Sequence, residues 1–268
     1  YDRAQTGHSF SLAHPVEVEL AERLCRLIPC AEMVRFGKNG SDATAGAVRV
    51  ARAYTGREHV AVCGYHGWQD WFIGTTSRKA GVPKAVQDLA HTFPYNDLGA
   101  LDALLSSKQG QFAAVIMEPV NFNWPDRVYL EKVKEITHKH GAILIFDEIC
   151  SGFHFGLGGA QQIFDVMPDL ATFGKAMGNG WPISCIVGSR DIMTMFEAAE
   201  YLGIVAFALS GFSTAAKNHL DLLGVLIAVF LTALGGGILR DIIVSTTPYT
   251  FSHTAPALVV FIVLLLLI

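Results

Sequence analysis

One lysine in this sequence, set between an apolar run and a glycine-rich turn, has the surroundings for covalent chemistry. It is Lys175, within Leu170-Ala-Thr-Phe-Gly-Lys-Ala-Met-Gly-Asn-Gly180. A lysine at a strand end can be partly desolvated, which lowers its pKa and favours the neutral amine that Schiff-base formation needs. Most lysines are simply solvated, so residue type alone does not select it. The selection comes from what earlier strands deliver. Asp147 follows the apolar run Ala142 to Phe146 and precedes Glu148. A buried carboxylate at a strand end needs a partner, because leaving it unpaired is costly. Asp147 and Lys175 together suit a cofactor held between them, the lysine on an aldehyde and the carboxylate on a ring nitrogen. The adjacent carboxylates do not point to a metal: no ligand-spaced His/Cys/Asp cluster lies nearby, and His138 and His140 fall on the preceding helix.

Other strand ends contribute further candidates. Met33 to Phe36 leads through Gly37-Lys-Asn-Gly-Ser-Asp-Ala-Thr44 into a helix over residues 41–54. A strand, a Gly-Ser turn and a helix N-terminus converge free N–H groups on one point, which suits a phosphate at Gly40 and Ser41. An ordinary N-cap by Ser41 or Asp42 accounts for the same residues without a ligand. His59 to Cys63 runs straight into Gly64-Tyr-His-Gly-Trp68, which sets Tyr65 and His66 at a sheet's carboxyl edge. There they stack on a planar ring or fill a loop core. Glu118 follows the apolar run Phe112 to Met117 at the same edge.

These runs alternate with amphipathic helices over 15–28, 41–54, 97–106 and 129–140, a pattern that predicts an α/β fold with a mainly parallel sheet covered on both faces. Residues 74–95 show no clear period and read as loop with a short helix. The net charge of -4, with no basic stripe, gives no reason to expect nucleic acid. Five irregularly spaced cysteines read as reduced thiols of a cytosolic domain. The start at Tyr1, without Met or an apolar leader, reads as lacking a signal peptide and as beginning inside a longer sequence.

The segments NGSDAT (39–44), ARAYTGR (51–57), YHGW (65–68), EPV (118–120), FDEICSGF (146–153) and PDLATFGKAMGNGWP (168–182) occur in this order. Together they resemble the class III pyridoxal-phosphate aminotransferases, in particular the glutamate-1-semialdehyde aminomutase-like branch. The resemblance covers nearly all of residues 1–195. It implies the large domain of a fold type I pyridoxal-phosphate-dependent transferase, with pyridoxal 5'-phosphate as cofactor and a small amino or oxo acid as substrate. It also implies roles: a Schiff base on Lys175, the pyridine nitrogen on Asp147, the phosphate on Gly40 and Ser41, and Tyr65 against the ring. Glu118 and His66 match motif positions without an assigned role. The freed amine of Lys175 would then act as general base. His154 stands where the family usually has arginine. Against the family pattern the small C-terminal domain reads as absent and the N-terminal substrate-covering segment as largely missing, so the resemblance implies a truncated domain with an incomplete site.

Near Met195 the composition changes: after Glu200 the charged residues are Lys217, Asp221, Arg240 and Asp241. The uncharged runs 201–216, 222–239 and 255–268 approach the length that spans hydrocarbon, and predict an all-α transmembrane segment of two to three helices. Residues 200–244 resemble the N-terminal repeat of the trimeric intracellular cation channel family, whose bacterial members are also called glycine transporters. Gly235, Gly236 and Gly237, followed by Arg240 and Asp241, are the specific part. In a channel such glycines would supply carbonyls or a kink beside the pore; a loose turn between helices is the alternative.

The sequence thus divides into a pyridoxal-phosphate-binding domain over 1–194 and a membrane repeat over 195–268, read as two truncated frames joined at Met195. The expected chain is membrane-anchored through lipid contact, with its enzyme-like part in the cytoplasm. Its homo-oligomer is a dimer by the first part and a trimer by the second. Amino group transfer, supported by the most motifs, competes with a cation channel or small-solute transporter subunit and with an inactive fusion.

Overall fold

A computed structural model describes residues 15–122, 124–218, 220–235 and 255–267. Among them, seven strands form one sheet: β1 (Met33–Gly37), β2 (His59–Cys63), β3 (Ala90–Thr92), β4 (Phe112–Met117), β5 (Ile143–Asp147), β6 (Leu170–Phe173) and β7 (Ser184–Gly188). Their order is β1-β7-β6-β5-β4-β2-β3. From β6 to β3 all neighbours are parallel, whereas β7 runs antiparallel to both β1 and β6. The all-apolar sequence of β4 follows from burial on both faces, and every residue of that strand is buried.

Side chains alternate across the sheet. One face carries Ala61, Val115, Met117, Leu144 and Phe146, which share a core with Leu24, Leu101, Leu105, Leu130 and Val133. Those residues come from α1 (Pro15–Leu27), α5 (Leu98–Ser107) and α6 (Arg127–Lys139). Against the sheet also packs α2 (Gly40–Thr55), whose buried side is made of small residues such as Ala43, Ala47 and Ala51. These four helices and the mainly parallel sheet agree with the sequence pattern. Short helices α3 (Asp70–Ile73), α4 (Lys84–Gln87), α7 (Ala160–Phe164) and α8 (Arg190–Met193) complete this part.

Four details correct the sequence reading. The residues 74–95 hold a strand as well as a short helix, because β3 pairs with β2 along an edge. Strand β7 carries no separate signal in the sequence. The β5 strand includes Asp147, so the carboxylate is part of the ladder instead of following it. The cap of α2 is Asn39, which accepts a bond from the Asp42 N–H while Asp42 accepts from the Asn39 N–H, a reciprocal capping box.

The chain separates into two compact units, Leu20–Met195 and a second made of Tyr1–Glu19 with Phe196–Ile268. In the second unit lie α9 (Met195–Lys217), α10 (Leu222–Phe230) continued by a π-turn Leu231–Gly235, and α11 (Ala255–Leu267). Among the described residues no helix is long and apolar enough to cross a membrane. The 13 residues of α11 rise about 20 Å against a hydrocarbon thickness of about 30 Å. The longer α9 has 23 residues but includes Glu197, Glu200 and Lys217. Two to three spanning helices, as expected from sequence, are therefore not seen among the described residues. Of the channel-like positions, Gly235 ends the π-turn, while Gly236, Gly237, Arg240 and Asp241 lie outside the described residues.

Candidate active site

The parallel register aligns the carboxyl ends of the central strands. Cys63 pairs with Met117, Met117 with Phe146, and Asp147 with Thr172. Residues just beyond these pairs must therefore emerge at one edge, and they include Tyr65, Glu118 and Lys175. All of the enzyme-part candidates, with Gly40 and Ser41 from the start of α2, belong to this edge or contact residues that do.

Asp147 is buried, and its partners are unambiguous. Oδ1 accepts from the Ile149 N–H at 3.1 Å and from the Thr172 hydroxyl at 3.0 Å. Oδ2 lies 2.7 Å from His66 Nδ1, with the imidazole wholly buried. The other ring nitrogen, Nε2, is 3.1 Å from the Cys63 carbonyl, which can only accept, so Nε2 carries a proton. His66 is thus a support for Asp147 set behind it, rather than a group facing a ligand. The three bonds leave Asp147 one acceptor position, on Oδ2.

Glu148 turns the opposite way. Its carboxyl is fully buried and accepts from the Ser151 hydroxyl at 2.5 Å and from the Ala160 and Gln161 N–H groups, capping α7. Burial pushes its pKa up. Glu118 accepts from the Tyr65 N–H at 3.1 Å and from Asn121 at 3.0 Å, and burial raises its pKa too. The Tyr65 ring is exposed and stands edge-on to Phe72.

The start of α2 is shaped by glycine at one particular contact. Gly67, at φ +103°, passes so close to Ser41 that a Cβ would lie 2.3 Å from its Oγ. Ser41 Oγ accepts from the Trp68 N–H at 3.3 Å, and Thr44 donates to the His66 carbonyl at 2.8 Å. The loop carrying Tyr65 and His66 is thereby tied to the helix N-terminus. Gly40 and Ser41 occupy the first helical positions, whose N–H groups the helix itself cannot pair.

Lys175 opens a 3₁₀ turn, Lys175–Gly178, with φ +42°, a left-handed conformation unusual for a side-chain-bearing residue. It is exposed, and its Nζ donates to Cys150 Sγ at 2.7 Å. The expected lowering of its pKa is not found. Burial does act downward, but the Cys150 bond outweighs it, and Asp147 and Glu118 add to the upward shift. Cys150, Thr172 and Ile149 were not among the sequence candidates. Ile149 sits against both Gly40 and Gly174, its side-chain carbons 3.2 and 3.1 Å from where their Cβ atoms would be.

Residues 4–210 match the family model for Aminotransferase class-III. The chain belongs to the class III aminotransferases. Residues 197–268 match the Glycine transporter family model, so 197–210 fall under both. A similar relative is the 3-aminobutyryl-CoA aminotransferase of Cloacimonas acidaminovorans (strain Evry), 41% identical over 223 residues, which take in 81% of this chain and 53% of the relative. Glutamate-1-semialdehyde 2,1-aminomutase 2 of Lachnoclostridium phytofermentans is 40% identical over 211 residues, 72% of this chain and 49% of the relative. A solved transaminase with PLP bound superposes with a TM-score of 0.68 at 30% identity, over 72% of this chain and 49% of that one. The chain thus spans about half the length of the curated relatives it matches.

Proposed function

We propose that the chain performs pyridoxal-phosphate-dependent amino group transfer, as a transaminase or an aminomutase, on a small amino or oxo acid. The observation that carries this reading is the meeting of Lys175, the His66-supported Asp147 and the α2 N-terminus at one sheet edge of a class III aminotransferase. These residues fit each part of the cofactor. The N–H groups of Gly40 and Ser41 suit its phosphate. The remaining acceptor position of Asp147 suits a protonated ring nitrogen, with Thr172, Ile149 N–H and His66 holding the carboxylate in place. Tyr65 and Ile149 offer surfaces for a planar ring. When bound, pyridoxal phosphate supplies an aldehyde that condenses with amino groups and a ring that withdraws electrons. Lys175 Nζ would hold the cofactor and, as a free amine, would move a proton as general base.

Borohydride reduction after adding pyridoxal phosphate tests the assignment. The wild type should retain a pyridoxyl group on the peptide containing Lys175, and Lys175→Ala should retain none. A wild type that traps no cofactor removes the reading. Loading also has a defined pH dependence. It needs the neutral amine, and the Cys150 bond holds the Lys175 ammonium above its ordinary range. Loading therefore speeds up as pH rises, and Cys150→Ala moves that rise to lower pH. Absorbance-monitored loading over a pH series checks this, and an unmoved profile separates Cys150 from the lysine.

For residues 195–268 we propose association with a membrane as a channel-like or transporter-like repeat, with the enzyme-like part in the cytoplasm. Support comes from the Glycine transporter match and from large apolar side chains left exposed, among them Leu231, Leu265 and Leu266. Flotation of the full chain with liposomes tests this, and a chain that stays at the bottom of the gradient rejects it. Light scattering of the solubilised chain separates a dimer set by the first part from a trimer set by the second.

A further inference from the structure

We propose that Cys150 and Lys175 form an oxidation-sensitive couple, in which peroxide-oxidised Cys150 is captured by the Lys175 amine in a reversible sulfur–nitrogen bond. The pairing is built into the sheet. Asp147 and Thr172 are register partners on adjacent parallel strands, and Cys150 and Lys175 lie three residues beyond each of them. Their side chains meet at 2.7 Å, both at exposed positions. The other four cysteines stand in different surroundings. Cys63 and Cys185 are buried and Cys25 and Cys30 half-buried. Burial pushes the thiols of Cys30, Cys63 and Cys185 up to about 12. Cys150 alone among the five is exposed, with a cation in contact, the surroundings that favour thiol oxidation.

Hydrogen peroxide is the oxidant. The Cys150 sulfur attacks one peroxide oxygen, the O–O bond breaks, and a sulfenic acid forms with release of water. Lys175 Nζ, in its neutral form, then attacks the sulfur. An S–N bond forms, the S–O bond breaks, and the oxygen leaves as a second water with a proton from the amine. The sulfur loses two electrons, one peroxide becomes two waters, and the protein loses two hydrogens. A thiol reductant attacks the sulfur and returns the amine, and a second thiol releases the cysteine. The amine is unavailable while the bond lasts. The link needs only these two side chains; its effect on cofactor loading rests on the amino-transfer reading.

Cofactor-free full-length protein treated with hydrogen peroxide and digested should yield one linked peptide joining Cys150 to Lys175, lighter by two hydrogens and released by dithiothreitol. Cys150→Ser should give no such peptide. In Lys175→Met, Cys150 has no amine to capture it and should accumulate as a dimedone adduct well above the wild-type level. Equal dimedone labelling in wild type and Lys175→Met, with no linked peptide, overturns the couple. Oxidised wild type should also lose borohydride trapping of pyridoxal phosphate and regain it after reduction. A linked peptide in a protein that never traps cofactor, even when reduced, keeps the couple and overturns the amino-transfer reading instead.

Discussion

The two units differ in where their apolar side chains find partners. In Leu20–Met195 the largest fully buried side chains, Phe112, Phe146 and Phe173, lie in an extensive core of the unit's own, while Trp68, Phe122 and Trp124 are exposed. In the second unit a smaller cluster forms around Ala208, Val229, Val260 and Leu264, while Leu231, Leu265 and Leu266 stay 65%, 66% and 80% exposed. A parallel sheet with helices on both faces closes over its own apolar surface. Helices that are apolar around their whole circumference cannot do so as a small group, and large exposed apolar surfaces mark contact with something else. Among the described residues the first unit buries a core of 25 apolar residues, and the second a cluster of six.

That contrast can be broken by substitution. Phe146→Ala should produce the largest effect, about 3–5 kcal/mol of stability lost to a buried cavity, measured by urea unfolding followed with circular dichroism. A loss under about 1 kcal/mol would mean that the first core relaxes to fill the cavity. Glu148→Ala should cost about 1–3 kcal/mol, because the Ser151, Ala160 and Gln161 donors lose their acceptor. The same carboxyl sharpens the contrast through pH. Its folded pKa is raised by burial, so its contribution is fully present below the ordinary glutamate value of about 4.3 and is lost as pH rises through the folded value. The stability gap between wild type and Glu148→Gln should move against the wild type over that window, and a pH-independent gap would place Glu148 in contact with solvent. The smallest effect belongs to the second unit. Leu266→Ala should change stability in buffer by no more than about 0.5 kcal/mol, and a larger loss would show Leu266 packed as core.

The sheet was legible where burial on both faces writes continuous apolar runs, as in Phe112–Met117, and where helices keep an amphipathic period. It was not legible at β3, whose three residues Ala-His-Thr carry no pattern, or at β7, a short antiparallel return that pairs residues far apart in the chain. At the sheet edge, Asp147 was singled out by the apolar run before it, and Lys175 only by the company of the earlier strands. The orientation of His66 could not, because an aromatic at a strand exit reads the same whether it faces a ligand or turns inward to a carboxylate. Thr172 reads as an ordinary β-branched strand residue, and its hydroxyl matters only once β5 lies beside β6. The error over Lys175 has the same origin. Desolvation is a local expectation, while Cys150 and the carboxylates that reverse it arrive from other strands.

The left-handed backbone of Lys175 sets two demands in opposition at one position. Turn geometry at φ +42° is met most easily by glycine, and holding a side-chain-bearing residue there costs about 1–3 kcal/mol. Lys175→Gly would relieve that cost and remove the amine in the same step, so sturdiness and a reactive nitrogen exclude each other at this one position.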